Sequence, residues 1–186
     1  STQDDFNFEN LIGETSEEML EGEWIKSEYG APPITVTTPF VLVRQINETD
    51  SINFSENETE TFSHGNFLNP ISVKLISSPL RGQKIAPEEI LDKATQILEA
   101  VGAKNILVTS EEFSSIDGTQ GTNVSGNFVI SNPETEQEEK RNYVMLNFVS
   151  GGSSKTLMVT YEDDDETLET IAQRIINSVE FNNTAN

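Results

Sequence analysis

Cysteine is absent from the 186-residue chain, which removes disulfides, thiolate nucleophiles, zinc ribbons and iron–sulfur ligation together. Histidine occurs once, at His64. A His-based metal cluster is therefore impossible, and a Ser-His-Asp triad would need a fold signal that the sequence lacks. Positive charge is scarce, since 11 Lys and Arg stand against 32 Asp and Glu, for a net charge of −21. Binding to nucleic acid relies on Lys and Arg displacing condensed counterions, and the chain has no basic run and no interleaving of basic and aromatic residues. Anionic membrane surfaces are disfavoured for the same reason. Long apolar runs are missing too. The densest, Phe40-Val41-Leu42-Val43 and Tyr143-Val144-Met145-Leu146, fall far short of the roughly 18 residues that a membrane-spanning helix needs.

What remains is enough chain for one sizeable core without disulfide or metal support. Charge is unevenly spread. Residues 1–70 hold 14 acids and only Lys26 and Arg44 as cations, whereas residues 71–186 hold 18 acids and nine cations. The expected organisation is an acidic, weakly structured segment over 1–33, a single α+β domain over 34–181 and a frayed tail over 182–186. Within the first segment, Thr15 to Leu20 is suited to a short helix with a Ser or Thr cap.

Pro32-Pro33 punctuates the chain before Ile34, Val36, Phe40, Leu42 and Ile46, which predict a strand or strand pair interrupted at Pro39. Residues 47–69, rich in Asn, Ser, Thr and Glu, predict a polar loop or weak edge hairpin. Ile71, Val73 and Leu75 alternate with Ser72 and Lys74 as a strand with one buried face does. Pro87 then suits a first helical position, Glu88 and Glu89 suit the positive helix start, and Ile90, Leu91, Ala94, Ile97, Leu98 and Val101 form one stripe that ends at Gly102. Four strands are expected next, over about 105–113, 124–130, 142–149 and 155–161. Asp117-Gly118, Asn132-Pro133 and Ser150-Gly151-Gly152-Ser153 suit the reversals between them, giving an antiparallel meander. Asp163 to Glu166 offers the N-cap of a final helix with the stripe Leu168, Ile171, Ala172, Ile175 and Val179.

The order strand, helix, four strands, helix predicts an antiparallel sheet of about six to seven strands with helices packed on its faces. From Ile71 to Phe181 the chain resembles the PsbP-like superfamily. The likeness rests on the helix ending at Gly102, on the Gly-bearing strand from Gly121 through Gly126 to Phe128, and on the closing stretch from Ala172 through Ser178 to Phe181. The resemblance implies an α/β/α sandwich and a binding, assembly or accessory role without a shared catalytic residue set. The family's aromatic-Pro-x-Gly-Trp opening turn has no counterpart, because the only tryptophan is Trp24 and Thr38-Pro39-Phe40 stands alone.

Candidate chemistry is sparse. His64, in Ser63-His64-Gly65, is expected as an ordinary surface or turn histidine. Gly151 to Thr156 contains Gly, Ser and Lys but lacks phosphate-loop spacing and precedes a strand, so a hairpin turn is expected. The run Asp163 to Glu166 lacks the alternating ligands of a calcium loop, which favours helix capping. Trp24, Tyr29 and Phe40 are expected in the core or its lid rather than at a partner surface. Asn47, Asn53, Asn57, Asn123 and Asn182 open glycosylation sequons that would mark surface loops if a glycosylating cell secreted the protein, but in a chain rich in Asn and Thr they arise by chance.

These readings point to a non-catalytic binding or accessory module with no catalytic, metal or cofactor residues and no cofactor. Its partner is a protein or small ligand, with nucleic acid and membrane insertion excluded. Two alternatives stay open: a carboxylate-only hydrolase or cation-dependent small-ligand binding protein, and a purely structural surface protein. The missing cysteine, the processed-looking start and the resemblance lean towards an extracytoplasmic place, secreted, periplasmic or anchored through a removed segment.

Overall fold

The computed structural model describes residues 15–46 and 59–181. Its elements are α1 (Ser16–Glu21), β1 (Ile25–Tyr29), β2 (Ile34–Thr38), β3 (Val43–Arg44), β4 (Glu60–His64), β5 (Ile71–Pro79), α2 (Pro87–Glu99), β6 (Thr109–Ser114), β7 (Gln120–Ser131), β8 (Glu138–Ser150), β9 (Ser153–Glu162) and α3 (Glu166–Asn177). Seven strands form one antiparallel sheet in the order β3-β4-β5-β9-β8-β7-β6, while β1 and β2 pair as a separate hairpin.

Strand alternation places two apolar sets on opposite faces of the sheet. On one face Val73 and Leu75 of β5, Leu146 and Phe148 of β8 and Leu157 and Val159 of β9 meet the α3 stripe of Leu168, Ile171, Ile175 and Ile176, together with Tyr29, Ile34 and Val36 of the hairpin. On the other, Val124 and Phe128 of β7, Tyr143 and Met145 of β8 and Met158 of β9 meet Ile90, Ala94 and Leu98 of α2. The result is an α/β/α sandwich whose long central strands are buried over residues 143–148 of β8 and 153–161 of β9.

The helix signals act as the sequence predicts. Thr15 Oγ1 accepts the Glu18 amide at 3.2 Å to cap α1, and Asp165 Oδ1 accepts the Leu168 amide at 3.0 Å to cap α3. Pro87 starts α2, and Gly102 lies at φ +90° just beyond its end. The expected meander is β6 to β9, although β6 begins at Thr109 rather than near Asn105.

Two expectations change. The boundary at residue 33 cuts through the β1–β2 hairpin: Ile25 to Tyr29 pairs with Ile34 to Thr38, so this part of the acidic segment belongs to the fold. This strand carries no apolar alternation, because only Tyr29 of the five residues is buried. Within 47–69, Glu60 to His64 forms a regular strand paired with both β3 and β5. The remainder of that stretch through residue 58, residues 1–14 and the tail at 182–186 lie outside the described residues.

Candidate functional site

The loop after β4 builds one wall of a groove on the α2 face. Asn66 Oδ1 accepts the Leu68 amide at 2.8 Å, and Asn69 Oδ1 accepts the Asn66 amide at 2.7 Å, so the asparagines replace water as partners of the loop backbone. Phe67 turns inward and meets Phe128 edge-on at 6.1 Å. From below, Arg141 of β8, 0% exposed, donates through Nη2 to the carbonyls of Asn69 and Pro70. Its Nε and Nη1 are buried without a hydrogen-bond partner among the described residues. Burial pushes the Arg141 pKa down, and the charges of Glu162 and Glu139 oppose that shift. Arg141 thus positions the loop rather than facing solvent.

Two adjoining cavities share Asn66, Phe67 and Val101. One, of about 270 Å³, has a hydroxyl-rich floor that includes Thr61, Ser63, Ser72 and Thr160, with Lys74 beside it. Ser72 and Thr160 there share a 2.5 Å hydrogen bond. The other, of about 330 Å³, is mostly apolar, lined by Phe67, Leu68, Val101, Ile130 and Pro133. Leu68 and Val101 remain 40% and 38% exposed. In a chain of net charge −21, neither cavity is lined by a single acid among the described residues.

The residues singled out from sequence lie elsewhere or take structural parts. His64 ends β4 and stacks on Phe40 at 3.8 Å between ring centres, where burial pushes its pKa down. It is a half-buried strand residue, and not the turn or surface residue expected. Tyr29 is in the core, with Trp24 and Phe40 packed against it, and the Arg174 guanidinium lies 4.0 Å from the Trp24 ring centre. Asp163 to Glu166 border an acidic recess of about 310 Å³ with Glu169 and Tyr161. Asp165 is used by the helix cap, and Asp163 accepts Asn142 Nδ2 at 2.9 Å. No group of three or more His, Asp or Glu placed to hold a metal occurs among the described residues. Asn123 is buried within β7 at 9% exposure, in keeping with a sequon that arises by chance, and the other four sequon asparagines lie outside the described residues.

Gly151 and Gly152 form the β8–β9 hairpin turn at φ +60° and +75°, a conformation that glycine adopts without strain. The nearby Lys155 is the surprise. It is 1% exposed on the α3 face, with Nζ donating to Ser77 Oγ at 2.7 Å and Ser153 Oγ at 2.8 Å. Burial pushes its pKa down to about 8, while Glu60 acts in the opposite sense. A lysine with a lowered folded pKa carries a stability contribution that is complete only above its unfolded value of 10.5 and is lost as pH falls through about 8. The unfolding free energy from urea titration should therefore rise by about 2 kcal/mol between about pH 8 and pH 10. Lys93, also pushed down by burial, adds in the same direction. Above pH 10 the sign reverses, because burial holds Tyr143 up to about 12. Lys155→Met should remove most of the rise, and an unchanged pH profile in that variant would refute the assignment.

The fold is an α/β/α sandwich about one antiparallel sheet, and the groove on its α2 face is lined by hydroxyl, amide and apolar groups together with Lys74. No family model matches the chain, and no curated protein matches it. Among solved structures it is similar to the solution structure of cyanobacterial PsbP (CyanoP) from Synechocystis sp. PCC 6803, at 12% identity over 86% of this chain and 94% of that one, with a TM-score of 0.55. The Saccharomyces cerevisiae Ran-binding protein Mog1p matches at 9% identity over 86% of this chain and 96% of that one, with a TM-score of 0.43. The chain has a PsbP-like fold.

Proposed function

We propose that the protein is a non-catalytic binding or accessory module that engages a protein partner through the groove between residues 66–68 and the end of α2. The carrying observation is the acid-free apolar cavity on the surface of a strongly acidic chain, with Leu68 and Val101 both left exposed. Apolar side chains held open beside a polar floor favour the capture of a side chain from another molecule. Fold likeness supports only the class of role. An extracytoplasmic place is part of the same proposal, in keeping with the chain's lack of cysteine, and fractionation of the source cells tests it.

Affinity capture followed by mass spectrometry tests the binding role. Wild type should retain proteins that a Leu68→Asp/Val101→Asp variant loses, while Leu107→Asp, at an exposed position outside the cavity lining, retains them. Identical capture by all three proteins, each verified as folded by circular dichroism, would count against the groove.

A further inference from the structure

The apolar cavity is lined by no charged residue among those described, Lys74 is part of the lining of the adjoining one, and the surroundings are charged. Past Pro133, the β7–β8 turn carries Glu134 and Glu136 and Glu138 opens β8, all exposed, and Glu99 ends α2 two residues before Val101. The same stretches also hold Lys104 and Lys140, and Lys140 lies 4.0 Å from Asp163. An apolar centre with a predominantly acidic rim matches the anatomy of a protein interface, where a buried anchor supplies most of the affinity and rim charges set partner choice and association rate. Nothing acidic lies inside to balance a cation, and Lys74 already lines one cavity, so a lysine or arginine head group would lose water there without gaining an opposite charge.

We infer that the occupant is a segment of a partner protein that presents an apolar or aromatic anchor flanked by lysine or arginine. The anchor enters the cavity lined by Phe67, Leu68 and Val101, and the flanking cations face the glutamates of the β7–β8 turn. The net charge of −21 speeds the encounter with such a surface and repels an acidic one. This inference rests on the groove being the binding site, and the test separates the two.

Amide spectra of the ¹⁵N-labelled full chain are recorded against three peptides with blocked termini: Lys-Lys-Gly-Phe-Leu-Gly-Lys-Lys, its counterpart with Glu in place of every Lys, and Lys-Lys-Gly-Ser-Ser-Gly-Lys-Lys. The first should shift residues 66–68, 101 and 130–131 saturably, binding roughly tenfold or more tightly than the Glu form. The Ser form should produce no localised shift there. Raising the salt to about 0.3 M should weaken binding of the first peptide, and so should the triple change Glu134→Gln, Glu136→Gln and Glu138→Gln. Equal groove shifts from the Lys and Glu forms of the Phe-Leu peptide would overturn the basic partner and leave the groove standing. If none of the three shifts the groove, or if the shifts fall on another surface, both readings fail.

Discussion

Gly126→Ala should destabilise the protein by about 3 kcal/mol, a large loss for a change of one methyl group. Gly126 lies in β7 opposite Tyr143, and the segment 104–107 runs beside β7 with the Leu107 carbonyl placed over Gly126. That segment is held by reciprocal 2.8 Å hydrogen bonds between Lys104 and Val129 and by the Leu107 amide donating to the Asn127 carbonyl at 2.9 Å. A Cβ on residue 126 would overlap the Leu107 carbonyl oxygen and sit 2.8 Å from its carbon. Both obstacles are backbone, so no side-chain rotation relieves the overlap. The same carbonyl accepts the Tyr143 hydroxyl at 2.8 Å, and pushing it aside leaves a buried phenol unpaired. Urea unfolding gives the loss directly. In a double-mutant cycle with Tyr143→Phe the effects should be less than additive, because both changes remove one shared hydrogen bond. A shift below about 1 kcal/mol would show that segment 104–107 yields easily, against the packing described.

Phe148→Ala should cost about 3 to 5 kcal/mol. The ring is buried on the α3 face between Phe113, 6.0 Å away, and Phe181, 4.8 Å away, both edge-on. It also covers the space above Gly121, its partner across β7, where a Cβ would collide with the ring. Truncation therefore removes a contact common to the edge strand β6 and the closing segment. Hydrogen exchange in the alanine variant should quicken first in β6 and around residues 178–181, ahead of β8 and β9. Phe148→Leu, which fills most of the volume, should lose under about 1.5 kcal/mol. If the alanine and leucine variants proved equally stable, the aromatic cluster would not be what holds the edge.

The elements visible in the sequence were those whose period and caps agree. Pro87 with Glu88 and Glu89, and Asp165 ahead of Leu168, announce α2 and α3 because a helix start needs particular side chains at fixed positions. Alternation exposed β5, where Ile71, Val73 and Leu75 are buried on one side. It failed for β1, which buries only Tyr29, and for β4, whose residues are all half-buried. It also hid Lys155. In β9 every residue from Ser153 to Tyr161 is buried, so the polar residues that alternation assigns to solvent are instead enclosed by the hairpin and neighbouring strands. The candidate groove was less legible still. Phe67 and Leu68 stand in a stretch dominated by Asn, Ser and Thr whose composition masks them, and Val101 continues the apolar stripe of α2 although it sits two residues past the last helical residue. A groove depends on which segments meet in space, and Arg141, which fixes its wall, is distant in sequence from the loop it holds.

The order of strands also dictates when the molecule can exist. β5 is flanked by β4, its near neighbour in sequence, and by β9, which is made last of all the strands. Thr35 and Glu180 then bond the first hairpin to the residues just past α3, exchanging backbone hydrogen bonds at 2.8 and 2.9 Å. A ribosome releasing this chain would thus hold an unfinished sheet until residue 162 and an open α3 face until residue 181. Folding waits on these distant pairings, which are slow to find because a long loop must close first. During that interval the apolar edge of β5 is unprotected, so the nascent chain is exposed to aggregation just where the finished protein is most secure.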